Sequence, residues 1–466
     1  ALRWPERELV SVPAARVYAE PARPLAARGE EAGEAPSAQQ AHDRLLFFDD
    51  YAAKLRVAPA LGGAITIPEE NAVAALEVMS RFAVDPRWLI HLPPTMAACP
   101  TATEGPWLEH PEPALDFFVK RGVADLVAQE KHMGSRALIA LARDADAARR
   151  RFGVEDGKAG VIYTRTGRPF FTDAAREAEV AARLGAAMTA AGLWDDLASD
   201  WALLDAEVMP WSAKAQELLR RQYRPTATAA AASAAALAEA LADAEAAARA
   251  AGREPPPELA AMRDDAATRG AAAARMRAVM EGYCWEAETV DALKIAPFHL
   301  IAAEGAVLLD PSRPHEWHMG VAARLAAQDP ILVATGWRRL DAADPGARAA
   351  LVDWWTGHTE AGGEGLVLKP ATVIARDAAG KLVQPAMKVR GRDYLRLIYG
   401  PDYDRPENLR RLRVRGLGRK FSLAEREFKL GLEGVRRFVE GAPLAKVHEC
   451  ALAVLALESE PVDPRL

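Results

Sequence analysis

Cysteine is scarce in this 466-residue chain, occurring only at Cys99, Cys284 and Cys450. An odd number with no C-x-x-C pair excludes a disulfide framework and a thiolate zinc site, and it suits a reducing cytoplasm. Long hydrophobic runs are missing too: no apolar stretch approaches the ~20 residues that a membrane helix needs, and the start lacks the pattern of a secretion signal. Nor is there an excess of positive charge. With 59 Lys plus Arg against 65 Asp plus Glu, the formal net charge is -6. The chain as a whole therefore does not coat nucleic acid non-specifically, and any such contact has to be local. Two phosphate signatures are absent, since no G-x-x-x-x-G-K-[ST] occurs and no G-x-G-x-x-G follows a strand. In His315-Glu316-Trp317-His318 the histidines stand three apart, which excludes an H-E-x-x-H zinc helix and leaves a surface or core role for both.

Hydrophobic residues make up 50% and charged residues 27%, enough for a packed interior. The length allows roughly two to four domains, or one large core with appended modules. The chain begins Ala-Leu-Arg-Trp without an initiator Met, as a processed protein or a piece of a longer one would. Residues 1 to about 40 hold two short strand-like pieces, 8–12 and 15–18, and then an Ala, Glu, Gly and Pro mixture of linker composition. From about 41 a mixed α/β pattern begins. Ala72, Leu76, Met79 and Ala83 predict a helix over Glu69–Phe82, and β-branched or alternating runs predict strands at 161–164, 201–208, 298–302, 331–335 and 365–368. Between Pro225 and Arg253 the composition is almost pure Ala, the best helix former, so 212–283 is read as an inserted helical module interrupted by Pro255-Pro256-Pro257. Beyond about Tyr399 the chain turns basic and helical. The cluster at 410–420 is a candidate phosphate-backbone contact, Ser422-Leu423-Ala424-Glu425 predicts a capped helix start, and an apolar helix over 444–457 is expected to dock on the body.

Five short segments carry the chemistry. Glu130-Lys131-His132-Met133-Gly134-Ser135-Arg136 follows an apolar run and sets an amine at the start of a turn, where backbone and guanidinium can approach a ligand. In Leu203 to Trp211 a strand delivers Asp205 and Glu207 to one face. Pro297-Phe298-His299-Leu300 comes next, then Gly363-Glu364-Gly365-Leu366-Val367-Leu368-Lys369, a turn with an acid feeding a strand that ends in Lys. Last is Met387-Lys388-Val389-Arg390, whose alternation puts Lys388 and Arg390 on one side.

Together and in this order these segments resemble the motifs of covalent nucleotidyltransferases, the polynucleotide ligases and mRNA capping enzymes. That family has K-x-[DHN]-G-x-R as motif I, an acid in motif III, an aromatic in motif IIIa, E-G-x-V-x-K as motif IV and K-x-K in motif V. Trp88 to Met96, Glu130 to Arg136, Asp205 to Ala213 and Lys388 to Arg396 look like the C-terminal ligase domain of bacterial polynucleotide kinase-phosphatase, an RNA repair enzyme; the resemblance runs over about 41–466. It implies an α/β (α+β) fold: a ligase-type core with antiparallel sheets over 41–211 and 284–400, the helical insert at 212–283, and a C-terminal helical module at 401–466 in place of an OB-fold. Residues 1–40 would be the tail of the phosphatase module and a linker.

The resemblance also implies the chemistry. Lys131 would attack ATP to form lysyl-AMP, AMP would pass to an RNA 5′-phosphate, and a 3′-hydroxyl would displace it. Lys369 and Lys388 would hold the phosphate and depress the Lys131 pKa. Glu130, Arg136, Arg165, Glu207, Phe298, Glu364 and Arg390 would contact the nucleotide, with Phe298 stacking on adenine. Glu207 and Glu364 would hold Mg²⁺ or Mn²⁺. Motif V reads Lys-x-Arg here, so Arg390 departs from the pattern. The implied partners are RNA, kinase and phosphatase modules of the same polypeptide, and an RNA 3′-terminal 2′-O-methyltransferase; no membrane is involved. The alternatives are an mRNA guanylyltransferase, a DNA ligase, or a silent RNA-binding scaffold.

Overall fold

The computed structural model describes residues 45–466 apart from 52, 212 and 214–217. The strand-like pieces and linker expected at 1–40 lie outside the described residues.

A two-stranded ribbon, β1 (Leu55–Val57) and β2 (Ile65–Ile67), leads into helix α1 (Glu69–Phe82). Two five-stranded sheets follow. The first has the order β10-β4-β11-β12-β3, from β3 (Ala97–Ala98), β4 (Asp125–Glu130), β10 (Trp337–Asp341), β11 (Gly365–Pro370) and β12 (Met387–Arg390). Only its β12–β3 pair is parallel. The second, ordered β6-β5-β7-β8-β9, is antiparallel throughout and contains β5 (Ser135–Ala142), β6 (Gly160–Thr164), β7 (Trp201–Met209), β8 (Lys294–Ala303) and β9 (Ala306–Val307). The fold is therefore α+β with mainly antiparallel sheets.

Period-two alternation decides what each sheet covers. In the first sheet Leu126, Ala128, Leu366, Leu368, Met387 and Val389 pack on helices α2 (Pro111–Val119) and α8 (Pro345–Glu360). Gln129, Val367, Lys369 and Lys388 are thereby left for the other face. In the second sheet Ala137, Ile139, Leu204 and Ala206 pack under helix α4 (Ala174–Ala190). Leu138, Ala140, Trp201 and Leu203 face the largest core, shared with α1 and with two C-terminal helices, α11 (Gly418–Val439) and α12 (Leu444–Leu457). Helix α12 is buried on every side from Cys450 to Leu457, where its sequence is apolar all round.

Helix α3 (Ala145–Phe152) follows β5, and α7 (His315–Ala326) follows β9. The Ala-rich segment forms α5 (Arg224–Ala250), which packs on α6 (Pro257–Gly282) across the proline stretch. Met276 and Met280 of α6 share a small core with Met133, in the turn after Lys131, and with Leu397 of helix α9 (Arg392–Tyr399), which the short helix α10 (Pro406–Arg413) follows.

Two expectations fail. Residues 331–335 form no strand: the chain makes a single parallel bridge, Leu332 to Ile295, and then leaves for β10 in the other sheet. Ser422 does not start a helix. Helix α11 begins four residues earlier at Gly418, so the serine lies inside it and its carbonyl accepts from Arg426.

Candidate active site

A cavity of about 390 Å³ lies between residues of both sheets and of α11. The turn from β4 to β5 carries Lys131 into it. Two glycines make that turn possible. A Cβ on Gly134 would stand 2.5 Å from the Val208 carbonyl oxygen, and Gly365, at φ +142°, would drive one into the Val389 carbonyl oxygen. Gly365 in turn accepts a hydrogen bond from the Lys131 backbone N–H at 2.9 Å. The Lys131 Nζ lies 2.7 Å from Glu364 Oε1, and that carboxylate is almost fully buried.

Gln129, Val367 and Lys388 stand in one cross-strand row and all line the cavity; Lys369 is one step along β11. Burial pushes the Lys369 ammonium down to about 7, Asp205 pulling it up less strongly. Burial, with Arg390 and Lys131 nearby, brings Lys388 to about 7 as well. The expected neighbour effect thus acts on Lys388, with Lys131 among its causes, while the closest contact of Lys131 is an acid.

The stability consequence has a definite sign. Between about pH 7 and about pH 10.5 the folded state sheds these protons while the unfolded chain keeps them, so stability should rise with pH across that window. Melting curves from pH 7 to pH 9.5 should show the rise, and Lys369→Met should flatten it; an unchanged slope would contradict the assignment.

The second sheet supplies the other wall. Arg136, opposite Glu207 in the β5–β7 register, reaches diagonally to Asp205, with Nε at 2.8 Å and Nη2 at 2.5 Å, and donates to the Pro94 carbonyl at 2.9 Å. Burial alone would raise the Asp205 carboxyl, yet the Arg136 charge and hydrogen bonds hold it well below the usual range. Glu207 goes the other way: burial lifts it to about 7, with Lys131 opposing and Glu364 adding. Between Asp205–His299 and Ala206–Pro297 the β7–β8 register slips, leaving Phe298 as the extra residue of a bulge. Bulges re-aim side chains, and here Phe298 and His299 both face the cavity. The Lys369 Nζ lies 5.7 Å from the Phe298 ring centre.

Glu130, Lys131, Arg136, Arg165, Glu207, Phe298, Lys369 and Lys388 thus line one space. Arg165 is also tied to Glu458 at 2.7 Å. Glu364 touches Lys131 without itself lining the cavity. Arg390 does not line the cavity: its guanidinium is buried against Glu109, at 3.0 Å through Nε and 2.5 Å through Nη2. Met387 and Val389 fill one face, so Arg390 shares the face of Lys388 but turns toward Glu109 at the strand end.

Several residues at the site were not singled out for it by the sequence. Asp205 was visible as the partner carboxylate of Glu207, and His299 as the neighbour of Phe298. Lys420, inside the basic cluster, lines the cavity with Phe428 and Leu432 of α11. The remaining cations of that cluster diverge: Arg413 caps the Glu104, Gly105 and Trp107 carbonyls, Arg415 is buried on Glu109, and Arg410, Arg411 and Arg419 are exposed. His315 and His318 are both buried, and His315 faces the cavity while pairing with His299 at 3.0 Å. Among the described residues no group of three or more His, Cys, Asp or Glu side chains could hold a metal by itself.

Two mainly antiparallel sheets with a lysine-lined cavity between them are the architecture of ligase-type nucleotidyltransferases. The chain belongs to the family of PNKP adenylyltransferase domains, the ligase domain, whose model matches residues 74–461. Among solved structures it is similar to a chain of the Pnkp1/Rnl/Hen1 complex, with TM-score 0.57 and 18% identity over 81% of this chain and 95% of that one. A chain of the Pnkp1/Rnl/Hen1 RNA repair complex gives TM-score 0.56 and 19% identity, over 82% and 98%. No curated protein sequence matches.

Proposed function

We propose that this chain is the ATP-dependent RNA ligase of an RNA repair enzyme. The observation that carries the reading is Lys131, at the head of a glycine-enforced turn and paired with Glu364, beside a cavity that Lys369 and Lys388 also line. The family supports adenylyl transfer. The likeness to chains of an RNA repair complex that includes Hen1 accords with RNA as substrate and a protein partner, for which the resemblance implies the RNA 3′-terminal 2′-O-methyltransferase.

The Lys131 amine attacks the α-phosphorus of ATP. An N–P bond forms, the bond to pyrophosphate breaks, and the amine loses its proton, for which Glu364 at 2.7 Å is the nearest acceptor. Lys369 and Lys388, free to gain protons near neutral pH, meet the charge that builds on the phosphate oxygens. An RNA 5′-phosphate then takes the AMP, releasing Lys131, and a 3′-hydroxyl displaces it to seal the strand. Arg136 and Glu207, facing each other across β5 and β7, orient the ribose, with Glu130 and Arg165 at the margins. A divalent ion, Mg²⁺ or Mn²⁺, fits the donor set: Glu207 and Glu364 would hold it with the nucleotide's own phosphates, as oxygen-seeking cations are usually bound, and it would neutralise phosphate charge.

The core would comprise 41–211 and 284–400, with 212–283 as inserted helices and 401–466 as the C-terminal module. Kinase and phosphatase modules of the same polypeptide would stand alongside it. No described helix is long and apolar enough to cross a membrane. The enzyme would act in the cytoplasm, as the scarce cysteines suggest.

The test is incubation with α-labelled ATP and, separately, α-labelled GTP, with Mg²⁺ or Mn²⁺, followed by a denaturing gel. Label from ATP alone supports the reading, and no adduct from either nucleotide sinks it. Phe298→Ala removes the aromatic face in the β8 bulge. Loss of one stacking contact of ~1–3 kcal/mol should raise the ATP concentration for half-maximal adduct about tenfold. An unchanged ATP dependence would place the base elsewhere.

A further inference from the structure

The cross-strand row that lines the cavity does not end at Gln129. Strand β10 pairs with β4 in a register that puts Trp337 directly opposite Gln129, so the row runs Trp337, Gln129, Val367, Lys388 across four strands. Residues directly opposite in a ladder share a face, so Trp337 stands on the cavity's face of the sheet. It is the row's outermost member, because β10 is the edge strand of this sheet among the described residues. Gln129 is two residues from Lys131, and neighbouring strands lie about 4.8 Å apart, so the backbone of Trp337 is within roughly 10 Å of the nucleophile's. The attachment is rigid. Glu130 N–H donates to the Gly336 carbonyl at 2.9 Å, and a Cβ on Gly336 would meet the Glu130 carboxyl carbon at 2.7 Å.

Three consecutive residues of this edge are exposed: Trp337, Arg338 and Arg339. Charge on an edge strand guards against edge-to-edge pairing, but an exposed indole beside it does not serve that end. Arg338, on the opposite face, lies 4.5 Å from the Trp354 ring centre and remains exposed. Arg339, on the face of Trp337, is held by Asp125 at 2.7 Å and by Glu316 at 3.2 Å. An aromatic platform flanked by guanidinium groups is the chemistry that grips a single strand, with a base on the ring and phosphates on the cations.

We propose that Trp337 and Arg338 form the landing surface for a single-stranded polynucleotide, delivering its 5′-phosphorylated end over the rim to Lys131. This rests on the ligase reading above, which it extends by naming where the second substrate approaches. A base stacks on Trp337 at the cavity mouth, and the backbone crosses the β10 edge onto Arg338.

The test measures binding and chemistry separately on the full chain. Fluorescence anisotropy with a labelled 5′-phosphorylated 12-nucleotide RNA should show about tenfold weaker binding by Trp337→Leu, near-normal binding by Trp337→Phe, and a salt slope about one unit smaller for Arg338→Gln. Self-adenylylation from ATP by the same variants reports folding and the nucleotide site, and should stay within about twofold of the parent, since neither side chain lines the cavity. Unchanged RNA affinity in Trp337→Leu overturns the proposal, as does a parent protein that does not bind the RNA. Equal losses in Trp337→Leu and Trp337→Phe overturn stacking as its basis. Absence of any adduct in the parent protein counts against the ligase reading, and leaves the RNA-binding result to decide the surface independently.

Discussion

Lys131→Ala should leave no label on the protein after incubation with α-labelled ATP and denaturing electrophoresis, down to background. The side chain is the bond-forming atom in the proposed reaction, and no neighbouring amine can take its place. Lys369 stands on β11 and Lys388 on β12, both fixed by sheet pairing, whereas Lys131 sits in the turn where the two glycines bring it against Glu364. Lys131→Arg should be equally dead, because a guanidinium stays protonated and is no nucleophile at neutral pH. The Glu364 carboxylate keeps cationic company in both variants, since Lys388 still lies within its electrostatic reach. The variants should therefore fold, and melting curves near the parent's will show it. A labelled Lys131→Ala band that survives denaturation would sink the assignment of the nucleophile, and peptide mapping of that band would locate the true one.

Glu109→Ala should cost about 3–5 kcal/mol of stability, the usual penalty for leaving buried charge uncompensated. Its two oxygens accept from Arg390 N–H at 2.9 Å and Arg390 Nη2 at 2.5 Å, and from Arg415 Nη2 at 2.9 Å, and all three side chains are buried. Removing the carboxylate leaves two guanidinium groups without a counter-charge, at the point where β12 joins the C-terminal helices. Burial alone would raise the Glu109 carboxyl, but Arg390 and Arg415 bring it down to about 2. A depressed acid stabilises the fold above its unfolded pKa, and that contribution is lost as pH falls through the folded value. The parent should accordingly lose stability between about pH 4.5 and pH 2, together with its other depressed carboxyls such as Asp205, and Glu109→Gln should make that slope measurably shallower. A denaturation midpoint for Glu109→Ala close to the parent's at pH 7 would refute the structural role given to this cluster.

The same cluster explains why Arg390, expected at the nucleotide from its place in motif V, does not line the cavity. Alternation along Met387-Lys388-Val389-Arg390 correctly puts both cations on one face, but alternation carries no information about where that face ends. Glu109 comes from a loop far away in sequence, and a buried carboxylate attracts the nearest fixed guanidinium. Ser422 and the stretch 331–335 were misread for a related reason: local propensity was overruled by where the chain had to go next.

What the sequence settled by itself was local and ordered: the turn Lys131 to Arg136, the paired carboxylates of β7, the Gly365 strand ending in Lys369, and the Ala-rich and apolar helices. These are short-range patterns, in which glycine freedom, period-two alternation and helix propensity act within a few residues. Only the tertiary structure could decide that Lys131 meets Glu364, that a bulge turns Phe298 and His299 inward together, that Lys420 reaches the cavity while Arg390 leaves it, and that Trp337 extends the cavity's row to the sheet edge. Each of those depends on strand register and sheet order, which join residues hundreds of positions apart, and it is burial between the two sheets that brings Lys369 and Lys388 to about 7.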